Sequence, residues 1–298
     1  MSHSNYFAIA VLIGLATTFT SCSHDEIYSS SEKSKVSLTL HHFGIENAPF
    51  TRASETQAPH RIVFMAFDSS GKAVYDSTQV SSQEGFGSLS FELSPGAYTF
   101  VAVAHDVSKA ISDPAVAASI TSNSLATMPE ALVQDAFSKT MNVTIKSGES
   151  FSADMSLPRI ISSFDIYLND KVPEGTKMFK IIANTSGSAT SGNASFNPST
   201  GLATTDRQYV KEVNITAGIG RNNNHIDLNL FLNANEQTID ITATAYNVDG
   251  QVIASHTLEN VPMKRNRKTI AKGNFFTEKG SGSITFSTNW DTEFEAKY

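Results

Sequence analysis

The sequence predicts an all-β protein made of paired antiparallel β-sandwiches, and three observations carry that expectation. Short runs of alternating apolar and polar residues recur along the chain with glycine-bearing turns between them. Helical periodicity is scarce, and the second half echoes the first. The first run is Val36, Leu38 and Leu40, alternating with Ser37, Thr39 and His41, the period of a half-buried strand. Arg61 to Phe67 forms the next strand. It is followed by Asp68-Ser69-Ser70-Gly71, a hairpin turn with glycine where positive φ is needed, and then by Lys72 to Tyr75. Leu89 to Leu93 is a further strand, Ser94-Pro95-Gly96 turns the chain, and Ala97 to Ala104 returns.

Residues 108–138 are rich in Ala and Ser and break this rhythm, and Pro129-Glu130-Ala131-Leu132-Val133 predicts a short helix with proline at its first position. Met141 to Ile145 and Phe151 to Leu157 resume the strands. After Pro158-Arg159, Ile160 to Leu168 opens a fresh series, so a domain boundary is expected near residue 155, separating domains 53–155 and 156–298. Ile239 to Ile253 places strand, aromatic, Asp or Asn, glycine and strand on the template of Ile62 to Val74, and Leu258 to Pro262 matches Phe91 to Pro95.

With 298 residues, 40% hydrophobic and 17% charged, the chain has the composition of a globular protein with room for two domains. A net charge of -7 argues against nucleic acid as a partner, because phosphate binding needs clustered cations. The one basic cluster, Lys264-Arg265-Asn266-Arg267-Lys268, reads as a charged edge strand or turn.

Residues 1–21 read as a signal peptide: Phe7 to Phe19 is apolar, too short to span a bilayer, and closed by small residues. Thr20-Ser21-Cys22 resembles a bacterial lipobox, which makes Cys22 a candidate for lipidation; the alternative is a buried structural cysteine. Cys22 is the only cysteine, so its acylation would exclude disulfides, zinc–thiolate sites and a cysteine nucleophile. Asp25-Glu26, just beyond it, resembles a surface-export signal of Bacteroidetes lipoproteins, and a serine-rich tether runs from Ile27 to Lys35.

No catalytic constellation is present: the chain lacks H-E-x-x-H, G-x-x-x-x-G-K-S/T and G-x-S-x-G, and Gly218-Ile219-Gly220 lacks a third glycine. The expectation is therefore no enzyme, no cofactor and no metal. His41 and His42 are neighbours on a strand and face opposite ways, while Asn247-Val248-Asp249-Gly250 reads as a turn instead of a calcium loop. Ile284, Phe286 and Trp290 share one face of a C-terminal strand pattern, and Trp290 is expected to plug a groove or core. The alternative is an exposed aromatic stacking on a glycan, for which Trp290 and Tyr209 are the candidates. Asp76-Ser77-Thr78 fits a loose Bacteroidetes pattern for O-glycosylation at Ser77.

Taken in order, "TRA", "RIVFMAFDSSGKAV", "FELSPGAYTFVAVA", "MSLPRIISSFDIYL", "VPEGTKMFKI" and "LENVPMKRNRKTIAKGNFF" resemble the Bacteroidetes fimbrillin superfamily, the subunits of type V pili. That resemblance covers nearly the whole chain from residue 22 and implies two tandem transthyretin-like β-sandwiches. It also implies export as an outer-membrane lipoprotein and cutting after an arginine by a trypsin-like protease, followed by strand exchange between subunits. Carried onto this chain, Arg52 and Ala53 flank the cleavage point, and residues 22–52 form the tether and removable first strand. Val36, Leu38 and Leu40 are then the plugs of that edge strand, and Ile284, Phe286 and Trp290 the donor strand. The implied partners are other pilus subunits, the arginine-specific protease, the membrane through lipid, and a host or bacterial surface ligand. Stalk, tip and anchor subunits, and a free-standing glycan-binding lipoprotein, remain open alternatives.

Overall fold

Side-chain alternation is what turns these segments into strands. In the first of them Val36, Leu38 and Leu40 are buried while Lys35 and Thr39 are exposed, as a pleated strand with one face on a core requires. The computed structural model describes residues 32–44, 59–106, 118–129, 133–185, 192–277 and 285–286. These belong to one compact unit, residues 32–298. The expectations for the signal peptide, Cys22, Arg52, Ala53, Ile284 and Trp290 lie outside the described residues.

The first half holds β1 (Ser34–Gly44), β2 (Arg61–Asp68), β3 (Ala73–Val80), β4 (Ser88–Leu93), β5 (Gly96–His105), β6 (Ser119–Ser122), β7 (Leu125–Pro129), β8 (Ala136–Ile145) and β9 (Phe151–Pro158). The second holds β10 (Ser162–Leu168), β11 (Thr176–Asn184), β12 (Asn193–Phe196), β13 (Gln208–Asn214), β14 (Asn224–Leu230), β15 (Glu236–Asn247), β16 (Val252–Lys264), β17 (Lys268–Gly273) and β18 (Thr285–Phe286). Sheet β4-β1-β9 faces sheet β3-β2-β5-β8, and sheet β14-β10-β17-β18 faces sheet β13-β11-β15-β16.

The repeat lies in the connectivity. β1 pairs antiparallel with β4 and parallel with β9, and β10 pairs antiparallel with β14 and parallel with β17. Each three-stranded core of these sheets therefore carries a parallel pair, a departure from the purely antiparallel expectation. It arises because β1 and β9, and likewise β10 and β17, run the same way side by side. In the same chain order, β5 and β8 correspond to β15 and β16. The expected echo instead set the β15–β16 hairpin on β2–β3, and the turns explain why. Asp68 Oδ1 accepts from the amides of Ser70 and Lys72, Asn247 Oδ1 from those of Asp249 and Gln251, and each turn closes on a glycine with φ near +80°. A shared turn chemistry thus imitated homology between strands that occupy different places.

A fifth sheet, β12-β7-β6, joins the halves: β12 pairs antiparallel with β7, Phe196 opposite Ala126. Its residues Ala126, Met128 and Phe196 belong to the same buried cluster as Val63, Val101 and Val103. The sheet containing β2 and β5 is consequently apolar on both faces, which is why Phe100 to Ala104 shows no alternation. Pro129 is the last residue of β7, and residues 130–132 of the expected helix lie outside the described residues. β9 runs through residue 155, so the change of sheet falls after Pro158. There Arg159, fully buried, donates from Nε and Nη2 to the two carboxylate oxygens of Asp135, 2.5 Å each, with its guanidinium 5.1 Å from the Phe137 ring centroid. Burial pushes the Asp135 carboxyl up and the Arg159 hydrogen bond pulls it back.

Candidate functional site

β1 is the middle strand of its sheet, not an edge strand as expected. Ser34 to Thr39 pairs with β4, from Leu93 to Ser88, and Val36 to His41 pairs with β9, from Phe151 to Ser156. Both sets of its main-chain hydrogen-bonding groups are therefore engaged. The reason is that two distant strands, β4 and β9, flank it; Val36, Leu38 and Leu40 are 0%, 2% and 3% exposed and sit over Ile62, Phe64 and Phe100 of the facing sheet. The Phe64 ring lies 5.5 Å from Phe100 and 5.7 Å from Phe91, and Tyr75 stacks on Phe91 at 4.0 Å. These aromatics form the floor of the slot in which β1 lies.

The ends of the slot are fixed by polar contacts. Ser34 Oγ donates to the Lys146 carbonyl at 2.6 Å, and the Leu40 amide donates to the Gly87 carbonyl at 2.7 Å. Gly87 has φ +86°, and a Cβ there would stand 2.8 Å from the Leu40 carbonyl oxygen, so only glycine permits this approach. Gln79 holds the same turn, accepting from the Gly87 amide and donating to the Ser88 carbonyl. Neither Gly87 nor Gln79 is conspicuous in the sequence; the one available signal was the Gly85-Phe86-Gly87 turn ahead of a strand. On the outer face His41 lies 3.9 Å from Asp154, a solvent-exposed pair that contributes little.

The other expected site residues are scattered. Phe286 lies in β18, paired in the same chain with the edge of β17 rather than with the β1 slot. Tyr209 is 1% exposed, with the Arg207 guanidinium 5.3 Å from its ring centroid. That corrects its reading as an exposed glycan-stacking aromatic, because its strand turns it into the core. Ser77 is half-buried on the Tyr75 side of β3. Lys264 to Lys268 is the β16–β17 turn, where Lys264 pairs with Glu236 and Lys268 with Asp165. Among the described residues no group of three or more His, Cys, Asp or Glu side chains is placed to hold a metal ion.

Two carboxylates, one buried and one half-buried, were not anticipated. Asp165 is inaccessible; burial alone would raise its pKa, but His225 at 3.1 Å, Lys268 at 3.2 Å and Ser163 at 2.6 Å outweigh that and hold it low. Asp170 accepts from the amides of Phe275, Phe276 and Thr277 at 2.6–3.0 Å, which fixes the chain where it leaves β17. His256 adds a 2.9 Å hydrogen bond to the Phe275 carbonyl. A charge inside an apolar strand, as in Phe164-Asp165-Ile166, was the legible signal for the first.

The arrangement around β1 is a slot whose walls are two strand edges and whose floor is aromatic, a geometry for β-augmentation. A candidate adhesin of Bacteroides ovatus has the same fold at TM-score 0.50, with 14% identity over 75% of this chain and 77% of that one. A second Bacteroides ovatus structure of the same description reaches TM-score 0.52, with 14% identity over 83% of this chain and 88% of that one. The fimbrial anchor protein Mfa2 of Porphyromonas gingivalis matches at TM-score 0.46, with 13% identity over 77% and 83%. For the two Bacteroides ovatus structures, at such identities, the likeness is one of fold. No curated protein sequence matches the chain. A family model, DUF6562, described as a family of unknown function, matches residues 29–298.

Proposed function

The chain belongs to DUF6562, a family of unknown function, and we propose that its own function is structural, as a cell-surface fimbrial subunit that polymerises by exchanging β1. The observation that carries this is the position of β1. It fills the middle of a sheet and plugs the core with three side chains, yet only the stretch 45–58 joins it covalently to the strands that follow it. That connection contains Arg52. Cutting it after Arg52, so that the processed chain begins at Ala53, turns β1 into a removable insert.

Loss of β1 would uncover apolar surface worth about 1.5–3 kcal/mol for each of Val36, Leu38 and Leu40, and would leave β4 and β9 without partners along their inner edges. Such a slot takes up a replacement strand, and the C-terminal stretch with Ile284, Phe286 and Trp290 from a neighbouring subunit is the donor in this scheme. Head-to-tail repetition of that contact yields an open filament. Export as a lipoprotein acylated at Cys22 would deliver the subunit to the outer membrane. The adhesin description of the two Bacteroides ovatus neighbours supports a surface role.

The test is the intact mass and N-terminal sequence of protein recovered from the cell surface. A chain beginning at Ala53, together with full-length, non-polymerising protein from Arg52→Ala, is the expected result. Normal filaments in Arg52→Ala would sink the scheme. A chain beginning at acylated Cys22 would favour the second reading, an anchor that keeps β1; the tie from Ser34 to Lys146 suits such a permanent strand.

A further inference from the structure

The two sheet pairs differ at one edge. β18 pairs antiparallel with the outer side of β17, Phe286 opposite Thr269 and Thr285 opposite Ile270. The strand in the equivalent place in the first half is β9, and among the described residues no strand lies on its outer side. Val36 and Phe164, which pair antiparallel with Phe91 and Leu228, are taken as equivalent; Thr269, the partner of Phe164, then matches Phe151, the partner of Val36, and Ile270 matches Ser152. Burial follows the difference: Thr269 and Ile270 are each 3% exposed, whereas Phe151 is half-buried and Ser152, Asp154 and Ser156 are exposed. Phe151, 6.3 Å from Phe100 between ring centroids, thus forms an uncovered margin of the core.

We propose that the outer edge of β9 receives the C-terminal strand segment of a second copy of this chain, antiparallel, with its Phe286 opposite Phe151 and its Thr285 opposite Ser152. An edge with unpaired amides and carbonyls is a template for pairing. Along β9 the only devices against it are the charge of Asp154 and the terminal Pro158. The occupant follows from β18 itself, since this segment already pairs with the equivalent edge in the same chain. The contact lies outside β1 and needs no cleavage. It is available to the full-length chain and does not rest on strand exchange.

Disulfide trapping tests it in full-length protein carrying Cys22→Ser and Arg52→Ala, so that β1 stays in place and no other thiol exists. Differently tagged copies bearing Ser152→Cys and Thr285→Cys are mixed and oxidised. A second in-register pair, Asp154→Cys with Ser283→Cys, guards against one variant failing to fold. Both pairs should give mixed dimers at least about tenfold above Ser152→Cys with Ser287→Cys, a diagonal pair too far apart for a disulfide. They should exceed to the same extent Ser90→Cys on β4 with Thr285→Cys. Equal yields across all pairs, or no mixed dimer from correctly folded variants, overturn the proposal. Trapping only in chains that have lost residues 22–52 also overturns it, while leaving strand exchange standing.

Discussion

Replacing Leu38 with alanine tests the place of β1 in the core. Leu38 is 2% exposed, stands between Leu89 of β4 and Ala153 of β9, and cannot relax sideways because hydrogen bonds hold its strand on both sides. Truncating a leucine in such a site costs about 2–5 kcal/mol, and a well-pinned strand belongs near the middle, at about 3 kcal/mol. Thr39, the next residue, points to solvent, and Thr39→Ala should stay within about 0.5 kcal/mol. With a urea m-value of about 3 kcal/mol/M the Leu38→Ala midpoint falls by about 1 M while that of Thr39→Ala barely moves. Equilibrium urea unfolding followed by far-UV circular dichroism reads both. A second readout is retention of the N-terminal fragment after the chain is nicked at Arg52: the wild-type fragment should stay bound through gel filtration and the Leu38→Ala fragment should be lost. Equal small shifts in the two variants, or a fragment retained equally, would refute the reasoning that this strand plugs the core.

Arg159→Met should cost about 3–5 kcal/mol, because it leaves the Asp135 carboxylate without its buried partner; adding Asp135→Leu should recover part of that loss in the same urea titration. Burial lowers the His105 pKa to about 4 from 6.5, so between those values the unfolded chain binds a proton that the folded chain does not. Stability therefore falls as pH drops from 6.5 towards 4, by at most about 3 kcal/mol from this group, and unfolding midpoints of His105→Gln should show a shallower decline than wild type across that window. Asp170→Ala should leave the global midpoint within about 1 kcal/mol but speed amide hydrogen exchange at Phe275, Phe276 and Thr277, the three donors it holds.

Local chemistry made the strands legible. Val36, Leu38 and Leu40 alternate in the chain and are buried together in the fold, because side-chain direction along a strand depends only on neighbouring residues. The turns at Asp68 and Asn247 were equally readable, since each is closed by its own side chain. Partner choice was not readable. Whether β1 sits at an edge or in the middle depends on β4 and β9, some 50 and 110 residues away, and the period-two pattern is the same in both cases. Tyr209 shows the same limit, because an aromatic at a strand position carries no mark of which face a distant sheet will cover.

The sequence by itself determined the all-β class, the position of most strands and turns, and the lone arginine beyond the first strand. Tertiary structure alone decided the sheet order, the Arg159–Asp135 pair at the junction, the β12–β7 link between the halves, and the place of β9 at the end of its sheet among the described residues. The division has a physical cause: strand propensity and turn closure are settled within a few residues, whereas pairing and burial are settled by whichever distant surfaces the whole chain brings together.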